Sequence, residues 1–420
     1  MAYISYLLFF FMSTSFLMVA IEPAFSIVHY SFALLSFIFL SLFFIIKNNV
    51  LHKKFFELIS GYYIAIIVST ILGFILVYVL DGSVYTLKDV NMYGRIANII
   101  LFSFLSLFIV SLSYYDKKKF SPRKMVLFYA VGCFVLILTG YWQAASLYLG
   151  MGSFPFETRS MVHGVGKTDY DIEGRLTGIA AEPSYFVPFV LDFMILSLFV
   201  FKRNVVKIIF FTISTLILIL SFSPSGYMSA VGSLALALLL VANIKDKKYI
   251  YFLSLILSFS ALFIIFMFDK IGNIGYVLGR LENITEDVRF LTIYETLNVF
   301  FNSNILTILF GYGLTNFKFA SLHTNYSQLE TSNNIFADIL VELGVVGLFF
   351  VLGVFVKLFI LIKKSTVPVL QRFVCYALFF DLLITGLVRA DYATSRFFII
   401  IALIFLISKL NVVGEDKNGY

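Results

Sequence analysis

Arg175, Gly178, Glu182, Pro183 and Ser184 form the string R-x-x-G-x-x-x-E-P-S just before a long apolar run. An arginine guanidinium stays charged at any relevant pH and can grip two phosphate oxygens at once. Pro183 suits the first turn of a helix, where its missing N–H costs nothing. The helix that follows then turns the positive end of its dipole toward Arg175, a setting fit for an anion. Glu182 adds a carboxylate able to pair with an arginine or to accept a proton. An isolated Arg or Glu here would read as an interfacial side chain snorkelling to water; the spaced string favours a site.

A second group lies at 269–334, where Arg280, Arg289, Lys318 and His323 stand among Tyr312, Phe317 and Tyr326. Arg289 and then Arg280 follow Arg175 as candidates for phosphate binding. His323 is either a general base at neutral pH or an ordinary loop histidine, and His163 in the earlier loop has the same two readings. The aromatics either stack on sugar rings or form an interfacial belt. Further on, Asn334, Asp338 and Glu342 recur at i, i+4 and i+8, one polar face of a helix. Ionisable groups inside a membrane are costly and often functional. Glu342 reads as part of a buried network, with Gly344 and Gly347 permitting close helix approach; Asp338, nearer the outer surface, is a site candidate. Asp192 fits either role. Asp381, Arg389, Asp391 and Arg396 are expected to pair with one another around the last outer turn.

These side chains sit in a chain that is 60% hydrophobic and 13% charged, half the charge of an ordinary soluble domain. With a mean hydropathy of +0.97, soluble, disordered and disulfide-rich classes are excluded, leaving an all-α polytopic membrane protein. A bilayer core about 30 Å thick needs roughly 20 apolar residues as helix. Twelve such spans are expected near 3–21, 25–46, 58–80, 96–114, 125–148, 184–201, 208–222, 226–243, 249–268, 335–361, 367–387 and 393–408, all in one membrane domain, 1–420. The start MAYISYLLFF lacks a basic flank and reads as an uncleaved first helix. With the N-terminus inside, the short inner segments hold 18 Lys or Arg and the longer outer ones 11. That asymmetry obeys the positive-inside rule and puts both termini in the cytoplasm. It also accounts for the net charge of +7 without a nucleic-acid partner. Two outer loops, 149–183 and 269–334, are long, so the work is expected on the outer face.

Other patterns fail on inspection. DYDIEG (169–174) opens like a calcium loop, but Ala180 stands where its last acidic ligand belongs. GYGLTN (311–316) lacks the setting of a dinucleotide site, and SPSGY (223–227) reads as a tight turn. Cys133 and Cys375 lie in apolar runs and imply no disulfide framework. No Cys/His cluster has zinc spacing, and no metal or other cofactor is expected.

The string from Arg175 to Ser184 resembles an element of Wzy-type O-antigen and polysaccharide repeat-unit polymerases. NNIFADILVELGVVG (333–347) resembles the H-N-x-x-L-x-x-x-x-E-x-G-x-x-G region of the wider O-antigen ligase/polymerase superfamily, matching at Asn334, Glu342, Gly344 and Gly347. Arg289 followed by GYG (311–313) resembles the family's second outer loop. Asn333 stands where ligases carry the His that resembles an acceptor-activating base, which favours polymerase over ligase. The resemblance implies a metal-independent glycosyltransferase of GT-C-like architecture in the bacterial inner membrane, its site facing the periplasm. It implies undecaprenyl-diphosphate-linked oligosaccharides as donor and acceptor, and a chain-length regulator and a flippase as partners. Under it, Arg175, Arg289 and Arg280 hold the diphosphate, while Glu182 or His323 is the base, with Asp338 and His163 as further candidates. A lipid-linked oligosaccharide flippase is the rival from another class; its loops should be short on both faces.

Overall fold

A computed structural model describes residues 23–47, 51–75, 92–115, 121–152, 154–155, 175–180, 182–241, 288–324, 331–390 and 392–410. Their regular elements are all helices: α1 (Pro23–Ile46), α2 (Lys53–Ile75), α3 (Met92–Tyr115), α4 (Pro122–Leu149), α5 (Pro183–Val200), α6 (Asn204–Leu220), α7 (Pro224–Val241), α8 (Val288–Phe301), α9 (Ile305–Phe310), α10 (Phe317–His323), α11 (Ile335–Lys363), α12 (Val369–Gly386) and α13 (Ser395–Lys409). Helices α1–α7 and α11–α13 coincide with ten of the twelve expected spans; 3–21 and 249–268 lie outside the described residues. Among the described residues seven helices are long and apolar enough to cross a membrane, and the chain is a multi-pass membrane protein. The segment 269–334, expected as a long outer loop, carries among its described residues the short helices α8, α9 and α10.

Local chemistry sets the boundaries. Proline occupies the first turn of α4, α5 and α7, where no donor is lost. The α11 N-cap Asn334 accepts from the N–H groups of Phe336 (2.9 Å) and Ala337 (3.1 Å), satisfying donors the helix leaves open. At the end of α4, Gly150 takes the left-handed conformation (φ 64°) and donates its N–H to Ala145 O.

Helices α5 and α13 form the centre. Both are apolar on all sides and buried along almost their whole length, the pattern of a helix surrounded by others. α5 packs against α4, α6 and α12; α12 against α7 and α13; α13 against α3; and α2 against α11.

Two buried ionic clusters tie this bundle together. Arg396 of α13 donates from Nε to Asp192 Oδ2 (2.8 Å), from Nη2 to Asp192 Oδ1 (2.9 Å) and from Nη2 to Asp381 Oδ2. Tyr129 of α4 donates to the same Asp192 (2.8 Å), so four helices meet at one guanidinium. In the second cluster Arg95 of α3 reaches Glu342 of α11 (3.0 Å) and the Tyr392 hydroxyl (3.1 Å), and Tyr392 donates to Glu342. The expected pairing around the last turn holds for Arg396 and Asp381; Arg396 also crosses to Asp192, and Arg389 reaches α5. Asp391 lies outside the described residues.

Gly344 breaks α11 at φ 69°, ψ −174°, a region open essentially to glycine alone. The interrupted turn frees two carbonyls, and the GYG segment takes them: Tyr312 N–H donates to Val341 O (3.0 Å) and Gly313 N–H to Glu342 O (2.8 Å). The Gly344 spacing therefore serves a break and a docked loop, where simple helix–helix approach had been expected. A Cβ at Gly344 would stand 2.4 Å from Leu309 O, whereas one at Gly353 meets nothing within 4 Å. Gly344→Ala is expected to cost at least about 1–3 kcal/mol, visible as a lowered melting midpoint in detergent, while Gly353→Ala leaves the midpoint unchanged. Equal midpoints for the two variants would contradict this account of the break.

Candidate functional site

The string around Arg175 is held against α4 by one side chain. Gln143 Oε1 accepts from the N–H groups of Thr177 and Gly178, both at 2.8 Å, and Ile179 N–H reaches Thr139 Oγ1 at 3.4 Å. Leu176 N–H donates to Leu220 O at the end of α6 (3.2 Å). Gly178 adopts φ 54°, and a Cβ there would lie 2.6 Å from Thr139 Oγ1. The glycine of the string is required by this left-handed backbone and its close approach to α4.

Arg175 emerges half-buried from the clamped segment, beside Leu176 on the end of α6, where Tyr227 of α7 also donates its hydroxyl to Ile219 O (2.5 Å). The SPSGY segment, expected only as a tight turn, therefore borders Arg175. It does turn tightly, with Phe222 at φ 45° and Gly226 N–H donating to Ser223 Oγ (3.3 Å). A Cβ on Gly226 would fall 2.5 Å from Val187 of α5. The glycine brings the N-terminal turn of α7 directly against α5. Two positive helix ends thus stand side by side near Arg175.

The E-P-S end of the string has its own logic. Glu182 is the N-cap residue of α5 and half-buried, and Ser184 Oγ donates to its Oε2 at 2.8 Å around Pro183. Arg389, from the turn between α12 and α13, donates from Nη1 to Ser184 O (3.0 Å), with its guanidinium 4.2 Å from the Tyr185 ring centre. Only 6% of Arg389 is exposed. Sequence reasoning placed this residue among the charged groups of the last turn and did not foresee its reach to α5. The available signal was an arginine in the short outer turn facing the start of α5.

The start of α11 joins the same end of the bundle, because Asn334 Nδ2 donates to Leu387 O at the end of α12 (2.9 Å). Asp338 is fully buried and accepts from Thr331 Oγ1 (2.6 Å), Ser332 N–H (2.7 Å) and Ser332 Oγ. It works as a bracket on the segment before its own helix. Asn333 beside it is exposed in a left-handed turn at φ 56°, a conformation asparagine tolerates.

The structure therefore groups Glu182, Ser184 and Arg389, and holds the Arg175 segment against α4 and the end of α6, next to the turn that leads into α7. Arg289 lies in the first turn of α8, one turn before Thr292, whose hydroxyl donates to Ser332 O (3.3 Å). His323 is the last residue of α10, which packs on α11. For these two residues only the backbone is described; Arg280 and His163 lie outside the described residues.

Residues 209–352 match the family model described as O-antigen ligase. The matched segment runs from α6 through the SPSGY turn, α8–α10 and the first half of α11, and accords with the O-antigen ligase/polymerase superfamily that the motifs resemble. Its members are enzymes acting on lipid-linked glycans. No curated protein matches the chain.

The clamp on the Arg175 segment gives a direct test. Gln143→Met keeps the bulk but strands two backbone donors, at about 1–3 kcal/mol each. A lowered melting midpoint and faster proteolysis after Arg175 are expected, with Gln143→Glu, which keeps the acceptor, close to wild type. Unchanged behaviour of Gln143→Met would remove the clamp from the account.

Proposed function

We propose that this chain joins undecaprenyl-diphosphate-linked oligosaccharide repeat units into polymer on the periplasmic face of a bacterial inner membrane. The observation that supports the reading is the placement of cationic groups at one end of the bundle: Arg175 on the segment bonded to the end of α6, the adjoining N-termini of α5 and α7, and Arg389 fixed on Ser184 O. The positive-inside charge distribution supports the outer side for that end.

In the reaction an acceptor sugar hydroxyl attacks the anomeric carbon of the donor glycan. The new C–O bond forms as the bond from that carbon to the diphosphate oxygen breaks, and the bonding pair leaves with the lipid diphosphate. Preorganised positive charge on the departing oxygens lowers the barrier. Arg175 and the helix N-termini supply it, with Arg289 and Arg280 from the second outer segment. The hydroxyl proton passes to a base; Glu182 lies beside the cationic group, and His323 or His163 are the further candidates. The donor is already activated, so neither ATP nor a metal is invoked. Asp338 is spent on its bracket, which makes it a positioning residue. A chain-length regulator and a flippase are the expected partners.

The family description favours a second reading, a ligase that moves finished glycan to a lipid A core. Asn333 argues against it, since an amide cannot act as the base that ligases resemble in placing His there.

Reconstitution with purified lipid-linked repeat units tests the proposal: chain extension without added nucleotide is expected, and transfer to lipid A core alone would point to the ligase. Arg175→Ala and Arg289→Ala should each lower extension by roughly 100-fold or more while the protein still inserts. Arg175→Lys should also be impaired, because an ammonium does not reproduce the guanidinium fork. Normal polymer lengths in the alanine variants would refute their roles, and full activity of Arg175→Lys would reduce the claim to generic positive charge.

A further inference from the structure

The opposite end of the bundle holds a cavity of 280 Å³ lined by His52, Lys53, Lys54, Tyr114 and Lys409. It lies where α2 begins and where α3 and α13 end. Lys409 is 13 residues beyond Arg396 along α13, about 20 Å at 1.5 Å per residue, so this cavity is remote from the Arg175 group.

Among the described residues its charge is one-sided: three ammonium groups line it and no carboxylate does. Glu57 approaches Lys53 only at 3.9 Å between two exposed side chains, and among the described residues neither Lys54 nor Lys409 has a carboxylate within ion-pair reach. Lys53 and Lys54 also occupy the first turn of α2, which carries no acidic residue, so the helix dipole opposes both. Lysines solvated at random would not choose that turn; an anion seated there would satisfy helix and lysines together.

His52 completes the lining in a fixed state. Its Nδ1 accepts the Phe55 N–H (3.2 Å), its own N–H donates to Ser111 Oγ (2.9 Å), and its ring centre lies 4.0 Å from that of Tyr114. Burial holds the imidazole below its ordinary pKa, and Lys409 and Lys54 press it further down. The neutral ring keeps Nδ1 as acceptor, which leaves the proton on Nε2 as a donor.

We propose that this cavity is a docking site for the phosphodiester head group of an anionic phospholipid in the leaflet opposite the glycan site. The volume is about ten times that of a water molecule, enough for a phosphate and its glycerol. The half-exposed Tyr114 and the helix ends set it at the level where head groups lie. Basic pockets between helix ends on the cytoplasmic side are a known means of holding such lipids. The proposal stands independently of the polymerase reading, since it rests on other residues and needs no glycan.

The test uses the full-length protein in nanodiscs of phosphatidylcholine alone or mixed with phosphatidylglycerol, reading the melting midpoint and the lipids retained in native mass spectrometry. Phosphatidylglycerol should raise the midpoint and co-purify. Lys54→Gln with Lys409→Gln should abolish both effects while leaving the midpoint in phosphatidylcholine unchanged. The control pair Lys363→Gln and Lys364→Gln, exposed lysines at the same end of the bundle, should retain them. An equal gain in both variant pairs would overturn the site in favour of general surface charge. An equal gain from inorganic phosphate in phosphatidylcholine discs would overturn the lipid in favour of a free anion.

Discussion

A single guanidinium inside the bundle sets the terms for the end where Arg175 and Arg389 lie. Arg396 is 3% exposed and faces two carboxylates that are fully buried. Breaking such a contact leaves an uncompensated charge in a low-dielectric interior, at about 3–5 kcal/mol. The helices that carry the partners, α4, α5, α12 and α13, therefore have one admissible register relative to one another. Asp192 is ten residues beyond Glu182, about 2.8 helical turns down α5. Fixing Asp192 thus fixes where the Glu182–Ser184 start of that helix points. The same constraint sets the α12–α13 turn, from which Arg389 reaches Ser184 O. Charge buried for packing and charge gathered for chemistry are two ends of one arrangement.

The second cluster does comparable work for the other half of the bundle. Arg95, Glu342 and Tyr392 join α3 and α11 to the α12–α13 turn, and Tyr62 of α2 donates to Tyr392 O at 2.7 Å. Two residues below this point on α11, Gly344 interrupts the helix and the GYG strip docks on the released carbonyls. In a bilayer a broken helix survives only if its freed backbone groups find partners inside the protein. Residues 288–324 are therefore part of the membrane domain's structure and carry Arg289 and His323 on short helices packed against α11 and α8.

Much of this was legible in the chain. Span positions followed from apolar runs of the right length, and Pro183 marked a helix start because proline is free of penalty there. The Arg175–Ser184 string also stood out, since Pro183 fixes the local geometry by covalent constraint. What stayed hidden depends on residues far apart in sequence. Nothing near Asp192 announces Arg396, 204 residues later, and nothing near Gly344 announces that Tyr312 and Gly313 will bond beside it. Gly178 looked like spacing; its reason is Thr139 on a preceding helix. Asp338 looked like a reactive acid because sequence shows ionisable type and depth, whereas its hydrogen bonds to Thr331 and Ser332 are tertiary facts.

The polarity of the two ends follows from these placements: guanidinium groups and helix N-termini cluster where glycan chemistry is proposed, and ammonium groups where α2 begins and α13 ends. Sidedness is the claim on which both assignments turn. It is measured most directly by attaching a membrane-impermeant maleimide to single cysteines placed at exposed Met151, beyond the end of α4, and at exposed Lys364, beyond the end of α11. The native Cys133 and Cys375 are buried and leave the background low. The account predicts labelling at 151 in cells with only the outer membrane opened, and at 364 only after the inner membrane is lysed. Labelling in the reverse order would place Arg175 in the cytoplasm and contradict the proposed chemistry.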